Sequence, residues 1–387
     1  VRIAVVGPLE FPGRQGGMSR HIEEVYARLA DRGHSVTVYC RRASEGPTYR
    51  GMDVATVPAI PRSPFDRFSY SAIASWRAAA SGADVVHYHS YANSGWSFLP
   101  RWRGSAVVMT VHRLEWLDEK WGRIAAAILR TNAAVVHRAA RSFIAVSHEF
   151  EEFLHAHVPA GRPVARIPNG VTLPATVDDD APARFGVAPD GYVLAVSRLV
   201  PEKGLDVLVD ALERADRADQ ADGADQGDQG EDRAAFLPVL VAGAARQPSA
   251  FSAALADRAE RSATPVRLLG VQPGAVVHGL YRGARALVAP SRAEGNPLTV
   301  IEAMAHGCCV VASDIPPHRE LLGDAGILVP VGDAAALGRA LRTVAADPGT
   351  AHRLGAAARA RLEASGEYQW DAVAARTESV LLAAVGG

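Results

Sequence analysis

Short apolar runs alternate along this chain with longer stretches in which apolar residues recur at helical spacing. Residues 3–6 (Ile-Ala-Val-Val) are continuously apolar and are ended by Gly7-Pro8. Ile22, Val25, Tyr26 and Leu29 then recur every three to four residues up to Gly33, which suits a helix closed by a glycine cap. Residues 36–40, 85–89, 106–111 and 143–146 are further strand-like runs, and 166–168 reads as the last strand of this half. Strands apolar on both faces and separated by amphipathic helices predict a parallel sheet with crossover helices.

The pattern breaks over 174–190, which is rich in Pro, Asp and Ala and has no sustained period; it reads as a linker. The alternation then restarts. Strands are expected at 192–196, 239–242, 266–269, 286–289 and 310–312, and helices at 204–215, 298–306 and 334–346. Residues 215–233 are acidic, low in complexity and hold no apolar residue larger than alanine, so they read as a disordered, solvated insertion. The fold class expected is α/β: two doubly wound Rossmann-like domains in tandem, 1–173 and 191–367. Such domains bind ligands at the carboxyl ends of their strands. Two of them facing across a cleft would offer a small-molecule site.

Composition narrows this picture. At 387 residues the chain is too long for one compact core and comfortable for two. The formal net charge of -1 supplies no global attraction to nucleic acid or to an anionic membrane. Cys40, Cys308 and Cys309 form neither a disulfide framework nor a zinc-ligand spacing, and read as small buried residues in a reducing compartment. No apolar run approaches the roughly 20 residues needed to span a bilayer. The opening residues form a strand rather than a signal peptide, so a cytoplasmic location is expected, with at most peripheral contact with the inner membrane face.

Four segments carry candidate chemistry. The most specific is Glu294-Gly-Asn-Pro-Leu-Thr-Val-Ile-Glu302, between a strand and a helix that stops at Gly307. Asn296 suits an N-cap and Pro297 the first helical position. The free amides at this helix start favour an anion or sugar hydroxyls, and the Glu302 carboxylate can accept two hydrogen bonds from a vicinal diol. Second, Arg198 and Lys203 follow a buried strand and precede a helix, where a planar fork and a point charge suit a diphosphate. Third, Gly16-Gly17 lies in a Gly-rich loop that lets backbone amides approach a phosphate, although it is not a dinucleotide fingerprint. Fourth, His112 follows the strand at 106–111.

Other candidates weaken on inspection. The acidic run 178–180 has no strand before it and reads as solvated charge. Trp96, Phe98 and Trp102, with Arg101 and Arg103, read as packing rather than as a membrane-surface patch. His87 and His89 face the same way on a strand but show no third ligand, so no metal site is expected.

Taken together, these residues resemble glycosyltransferase family 4, a retaining family with the GT-B fold, and the first half resembles its exopolysaccharide and rhamnosyl-type members. The matching elements are Gly16-Gly17 and its helix, Val111-His112, Ile167-Pro-Asn-Gly-Val171, Arg198 through Gly204, and Glu294 through Gly307, in the family's order. The resemblance implies an EC 2.4 enzyme of hexosyl or N-acetylhexosaminyl type. It would move a sugar from a UDP-, GDP- or dTDP-sugar to an acceptor hydroxyl and require no metal or other cofactor. Arg198 and Lys203 would bind the diphosphate and Glu302 the ribose. Glu294 and the backbone of Asn296, Pro297 and Leu298 would meet the sugar ring. Gly16 and Gly17 would approach the donor phosphate, His112 would contact the transferred sugar, and Val271 would border the nucleobase. The helix over 368–387 would cross back onto the first domain. Asn296 stands where the family often has phenylalanine, and Arg113 where a small or acidic residue is common, so substrate identity does not transfer. A phosphorylase, an epimerase or a degenerate nucleotide-sugar-binding module of the same fold are the alternatives.

Overall fold

The computed structural model describes residues 1–13, 16–60, 65–117, 122–223, 236–245 and 247–387; for residue 65 and residues 215–223 it describes the backbone alone. Two compact units emerge: Val1–Gly170 with Glu367–Gly387, and Val171–Gly366.

The first unit is built on β1 (Arg2–Val6), β2 (Ser35–Cys40), β3 (Met52–Thr56), β4 (Val85–Tyr88), β5 (Ala106–Val111), β6 (Ser142–Ala145) and β7 (Val164–Arg166). These seven pair in the order β7-β6-β5-β4-β1-β2-β3, all parallel, with Thr48–Tyr49 added antiparallel on β3. Ile3 lies opposite Val36 on one side and Val85 on the other. Every residue of β4, β5 and β6 is buried, as the continuous apolar runs require. Strand β3 has no such run. Only alternate residues of Met52-Asp-Val-Ala-Thr56 are buried, so its signal is too short and too polar to stand out.

Helix α1 (Gly17–Asp31) follows β1, and α2 (Phe65–Ala80), α3 (Arg123–Ala139) and α4 (His148–His157) cover the sheet. The returning segment joins this unit by burying an apolar face that includes Trp370, Val373 and Leu381, and ion pairs with α1 and its end flank that contact. Arg28 pairs with Asp371 at 2.6 Å and Arg32 with Glu378 at 2.6 Å, while Trp370 is buried.

The second unit repeats the plan with β8 (Val193–Val196), β9 (Val239–Ala242), β10 (Val266–Gly270), β11 (Ala286–Ala289), β12 (Cys309–Ser313) and β13 (Ile327–Val329), paired in parallel as β10-β9-β8-β11-β12-β13. Its helices are α5 (Leu205–Gly223), α6 (Ala250–Arg261), α7 (Gly274–Gly283), α8 (Leu298–Ala305), α9 (Pro316–Leu322), α10 (Ala334–Ala346) and α11 (Pro348–Ser365); α12 (Trp370–Gly386) is the returning helix. In both units the strand order reverses beside the first strand, between β1 and β4 and between β8 and β11. That reversal opens the crevice where doubly wound sheets bind ligands.

Two boundaries differ from the sequence reading. The stretch 174–190 is packed into the second unit rather than free. The Asp178 amide donates to the Ala275 carbonyl at 3.1 Å, and Ala181 is buried. A side chain at Gly279 would meet the Asp178 carbonyl at 2.0 Å, so this glycine lets the segment seat on α7. Its acidic run forms surface ion pairs, Asp178 with Arg184 at 2.6 Å and Asp179 with Arg282 at 3.0 Å. The expected insertion over 215–233 begins as a continuation of α5, whose last nine residues it supplies, and residues 224–235 lie outside the described residues. All three cysteines are buried as free thiols. Among the described residues, no helix is long and apolar enough to cross a membrane.

Candidate active site

In the second unit the candidate residues gather at the crevice between β8 and β11. After β8 the chain turns at Ser197 and Arg198, makes one 3-10 turn over Pro201–Lys203, and enters α5 through Gly204 in a left-handed conformation (φ 65°). A Cβ on Gly204 would fall 1.9 Å from the Pro290 carbonyl oxygen at the end of β11. Glycine is therefore needed twice over, for its φ and for its closeness to β11. Gly243, just past β9, performs the same service for Ser197, where a Cβ would meet the Ser197 carbonyl at 2.0 Å.

That closeness brings Lys203 to Glu294. The ammonium Nζ donates to Glu294 Oε1 at 2.5 Å, and Ser291 Oγ donates to the same oxygen at 2.7 Å. Burial pushes the Glu294 carboxyl up, but Lys203, His318 and the Ser291 hydroxyl outweigh it and hold the group below its ordinary range. Ser197, Lys203, Pro290, Ser291, Glu294 and Thr299 line one recess. Arg292, next in the loop, ties it to α5 by a two-pronged bond to Asp206 at 2.9 and 2.6 Å.

The helix start lies one residue later than expected. Pro297, not Asn296, is the N-cap of α8, because its carbonyl accepts from Val300 and Ile301 while Leu298 is the first helical residue. The Leu298 and Thr299 amides have no helical carbonyl ahead of them. Asn296 and Pro297 are buried, and Glu302 is half-buried against α7, where its carboxylate adds to the effect of burial in raising the Tyr281 hydroxyl well above its ordinary pKa. Val271 sits just past the edge strand β10 and is half exposed. His318 was not singled out from the sequence. It is fully buried, its Nδ1 donates to the Ser313 carbonyl at 2.8 Å, and it senses the charges of both Glu294 and Lys203. Its only sequence signal is a lone histidine after a Pro-Pro helix start.

In the first unit Gly16 (φ 111°) is the N-cap of α1, which begins at Gly17. His112 follows β5 and is half-buried. Around it the fold assembles what sequence distance concealed. His21 and Tyr26 come from α1, His87 and His89 from the end of β4, and Thr110 from β5. One ring nitrogen each of His21, His89 and His112 lies within 4.8 Å of the others. The expectation that His87 and His89 have no third ligand beside them is therefore corrected for His89: α1 supplies His21, and the residue just past β5 is His112. Asn169 bonds His21 Nδ1 at 2.9 Å. Burial holds His21 at about 4 and His87 at about 3, and keeps His89 and His112 well below the ordinary 6.5. Three neutral imidazoles are a donor set that suits zinc or copper. Against that, both His89 nitrogens are already engaged, by Tyr26 at 2.7 Å and His112 at 3.1 Å.

The aromatic group is a ladder of ring contacts, Trp96 to Phe98 at 5.9 Å and Phe98 to Trp102 at 4.8 Å. Its last member, Trp102, is 77% exposed, so it does not pack as expected.

Two Rossmann-like units, the second with a cation–carboxylate pair at its strand ends, invite comparison with known proteins. The Thermosynechococcus elongatus sucrose-phosphate synthase superposes with a TM-score of 0.78 at 21% identity, covering 98% of this chain and 97% of that one. Anabaena HepE in complex with UDP-glucose superposes with a TM-score of 0.75 at 20% identity, covering 99% of both. The chain thus has the GT-B fold. Residues 15–173 match the model described as Glycosyltransferase Family 4, and residues 190–347 the one described as Glycosyl transferases group 1; the chain belongs to glycosyltransferase family 4. Among its relatives are a D-inositol 3-phosphate glycosyltransferase of Streptomyces bingchenggensis (29% identical; 98% of this chain, 88% of that protein) and a phosphatidyl-myo-inositol mannosyltransferase of Mycolicibacterium smegmatis (28% identical; 97% and 92%).

Proposed function

We propose that this enzyme transfers a hexosyl or N-acetylhexosaminyl group from a UDP-, GDP- or dTDP-sugar to an acceptor hydroxyl, with retention of configuration and without a metal or other cofactor. The observation that carries the reading is the largely shielded Lys203–Glu294 pair at the crevice between β8 and β11. A diphosphate arriving there meets Lys203 and Arg198, and the α8 amides add a field favouring negative charge. Glu294, ionised, accepts hydrogen bonds from sugar hydroxyls, and Glu302 accepts them from the ribose. Gly16 and Gly17 at the α1 start approach the donor phosphate, and His112 contacts the transferred sugar. The departing diphosphate takes the acceptor's proton.

The relatives' names make inositol phosphates the first acceptors to try. Exposed apolar side chains on neighbouring elements of the first unit, Trp76, Trp102 and Ile124, stand beside Arg77, Arg103 and Arg123 and support peripheral contact with an anionic cytoplasmic membrane face.

The test is a thermal-shift panel of UDP-, GDP- and dTDP-sugars, followed by transfer assays with polyol phosphates and NMR of the product's anomeric proton. One donor raising Tm and yielding a product of unchanged anomeric configuration is expected. Failure of every nucleotide sugar to bind or to be hydrolysed would overturn the reading, and an inverted product would overturn retention.

A further inference from the structure

Five side chains of the first unit form one unbranched hydrogen-bonded chain. Thr110 Oγ1 meets His87 Nε2 at 2.7 Å, and His87 Nδ1 meets the Tyr26 hydroxyl at 2.5 Å. That hydroxyl meets His89 Nε2 at 2.7 Å, and His89 Nδ1 meets His112 Nε2 at 3.1 Å. Thr110, Tyr26, His87 and His89 are buried, and His112 is the half-buried end. His112 Nδ1 makes no hydrogen bond among the described residues.

Each link holds one proton, and each neutral imidazole carries one N–H. The Tyr26 hydroxyl has a single proton but belongs to two links, so it donates to one histidine and accepts from the other. Two arrangements satisfy every link. In one, Tyr26 donates to His87, His87 donates to Thr110, His89 donates to Tyr26, and His112 donates from Nε2 to His89, leaving His112 Nδ1 bare. In the other, Thr110 donates to His87, His87 to Tyr26, Tyr26 to His89 and His89 to His112 Nε2, so that His112 carries its proton on Nδ1.

The ends decide between them. Thr110 is 0% exposed and has no hydrogen-bond partner other than His87 among the described residues. The first arrangement leaves its hydroxyl proton buried without an acceptor, which is costly. The second uses that proton and moves the one unpaired donor to His112 Nδ1, at the half-buried end of the chain, where water or a substrate hydroxyl can accept from it. Burial keeps all three imidazoles uncharged at neutral pH, as the proton count requires.

We propose that Tyr26, His87 and His89 are positioning residues that hold His112 in its Nδ1–H tautomer, so that it meets the transferred sugar as a hydrogen-bond donor and not as a base. This rests on the reading of His112 as a sugar contact. A ring already protonated on Nδ1 cannot take the acceptor's proton there, which leaves that proton to the departing diphosphate.

The experiment is 15N NMR of histidine-labelled full-length protein near pH 7.5, with the His112 signals assigned by their loss in His112→Asn. His112 is expected to show a protonated Nδ1 and a bare Nε2; the reverse pattern, or a charged ring, overturns the proposal. His89→Met should abolish the pattern and lower kcat at least tenfold with donor KM little changed. His89→Asn, which restores a donor, should recover part of both. An unaltered His112 pattern in His89→Met would also overturn it, as would stoichiometric zinc or copper that shifts the His21, His89 and His112 rings together. If His112→Ala transfers sugar normally, the contact role fails, while the tautomer stays measurable in the free protein.

Discussion

Lys203 and Glu294 stand 91 residues apart in sequence and 2.5 Å apart in space, both largely shielded from water. Their contact exists because Gly204 lies against the Pro290 carbonyl. Removing one member of such a pair leaves the other buried and uncompensated.

Lys203→Ala should weaken binding of the free nucleoside diphosphate at least tenfold, equivalent to about 1.4 kcal/mol. Glu294→Gln should leave that affinity nearly unchanged while transfer falls by two orders of magnitude or more, roughly what loss of one transition-state contact costs. Calorimetry and initial rates read both. Unchanged diphosphate affinity in Lys203→Ala would remove Lys203 from the site.

Acid should expose the same pair. The folded Glu294 titrates below the 4.5 of an unpaired glutamate. Its stabilising contribution is complete above that value and is lost as pH falls through the depressed folded pKa. Urea unfolding from pH 6 to pH 3 should show a steeper acid limb in the native protein than in Glu294→Gln. Identical limbs would mean that Lys203 does not stabilise the ionised carboxyl.

The histidines act in a higher window. His21 and His87 titrate at about 4 and about 3 when folded, against 6.5 in an open chain. Below pH 6.5 the unfolded chain binds protons that the folded one refuses, so stability declines as pH falls towards 4. Each such group contributes up to about 1.4 kcal/mol per pH unit. The urea midpoint should drop between pH 7.5 and 5.5, and drop less in His87→Gln.

Two glycines with positive φ should behave differently. Gly204→Ala combines strain with a clash against backbone and should cost about 2 kcal/mol or more, with loss of diphosphate binding. Among the described residues nothing lies within 4 Å of a Cβ at Gly16, so Gly16→Ala meets conformational strain alone and should cost about 1 kcal/mol. Thermal unfolding of the two variants measures the contrast, and equal losses would contradict it.

Transfer should survive treatment with EDTA, since the proposed site answers the diphosphate charge with Arg198, Lys203 and helix amides. Strict dependence on added manganese would refute this.

The sequence by itself determined the class of fold and the order of its parts. Runs such as 106–111 are apolar throughout because a parallel strand is covered on both faces, and that requirement is local enough to read from neighbours. The loop from Glu294 to Glu302 was legible for the same reason: strand end, proline and helix start all act within a few residues. Even there the cap was displaced by one position, because which carbonyl accepts the first helical bond depends on backbone geometry. Tertiary structure alone decided what meets what. Glu294 finds Lys203, and His112 finds His89 and His21, through strand order and close glycine approaches that leave no periodic trace in the chain. A buried polar contact depends on distance in space, and sequence spacing encodes that distance only within a single helix or strand.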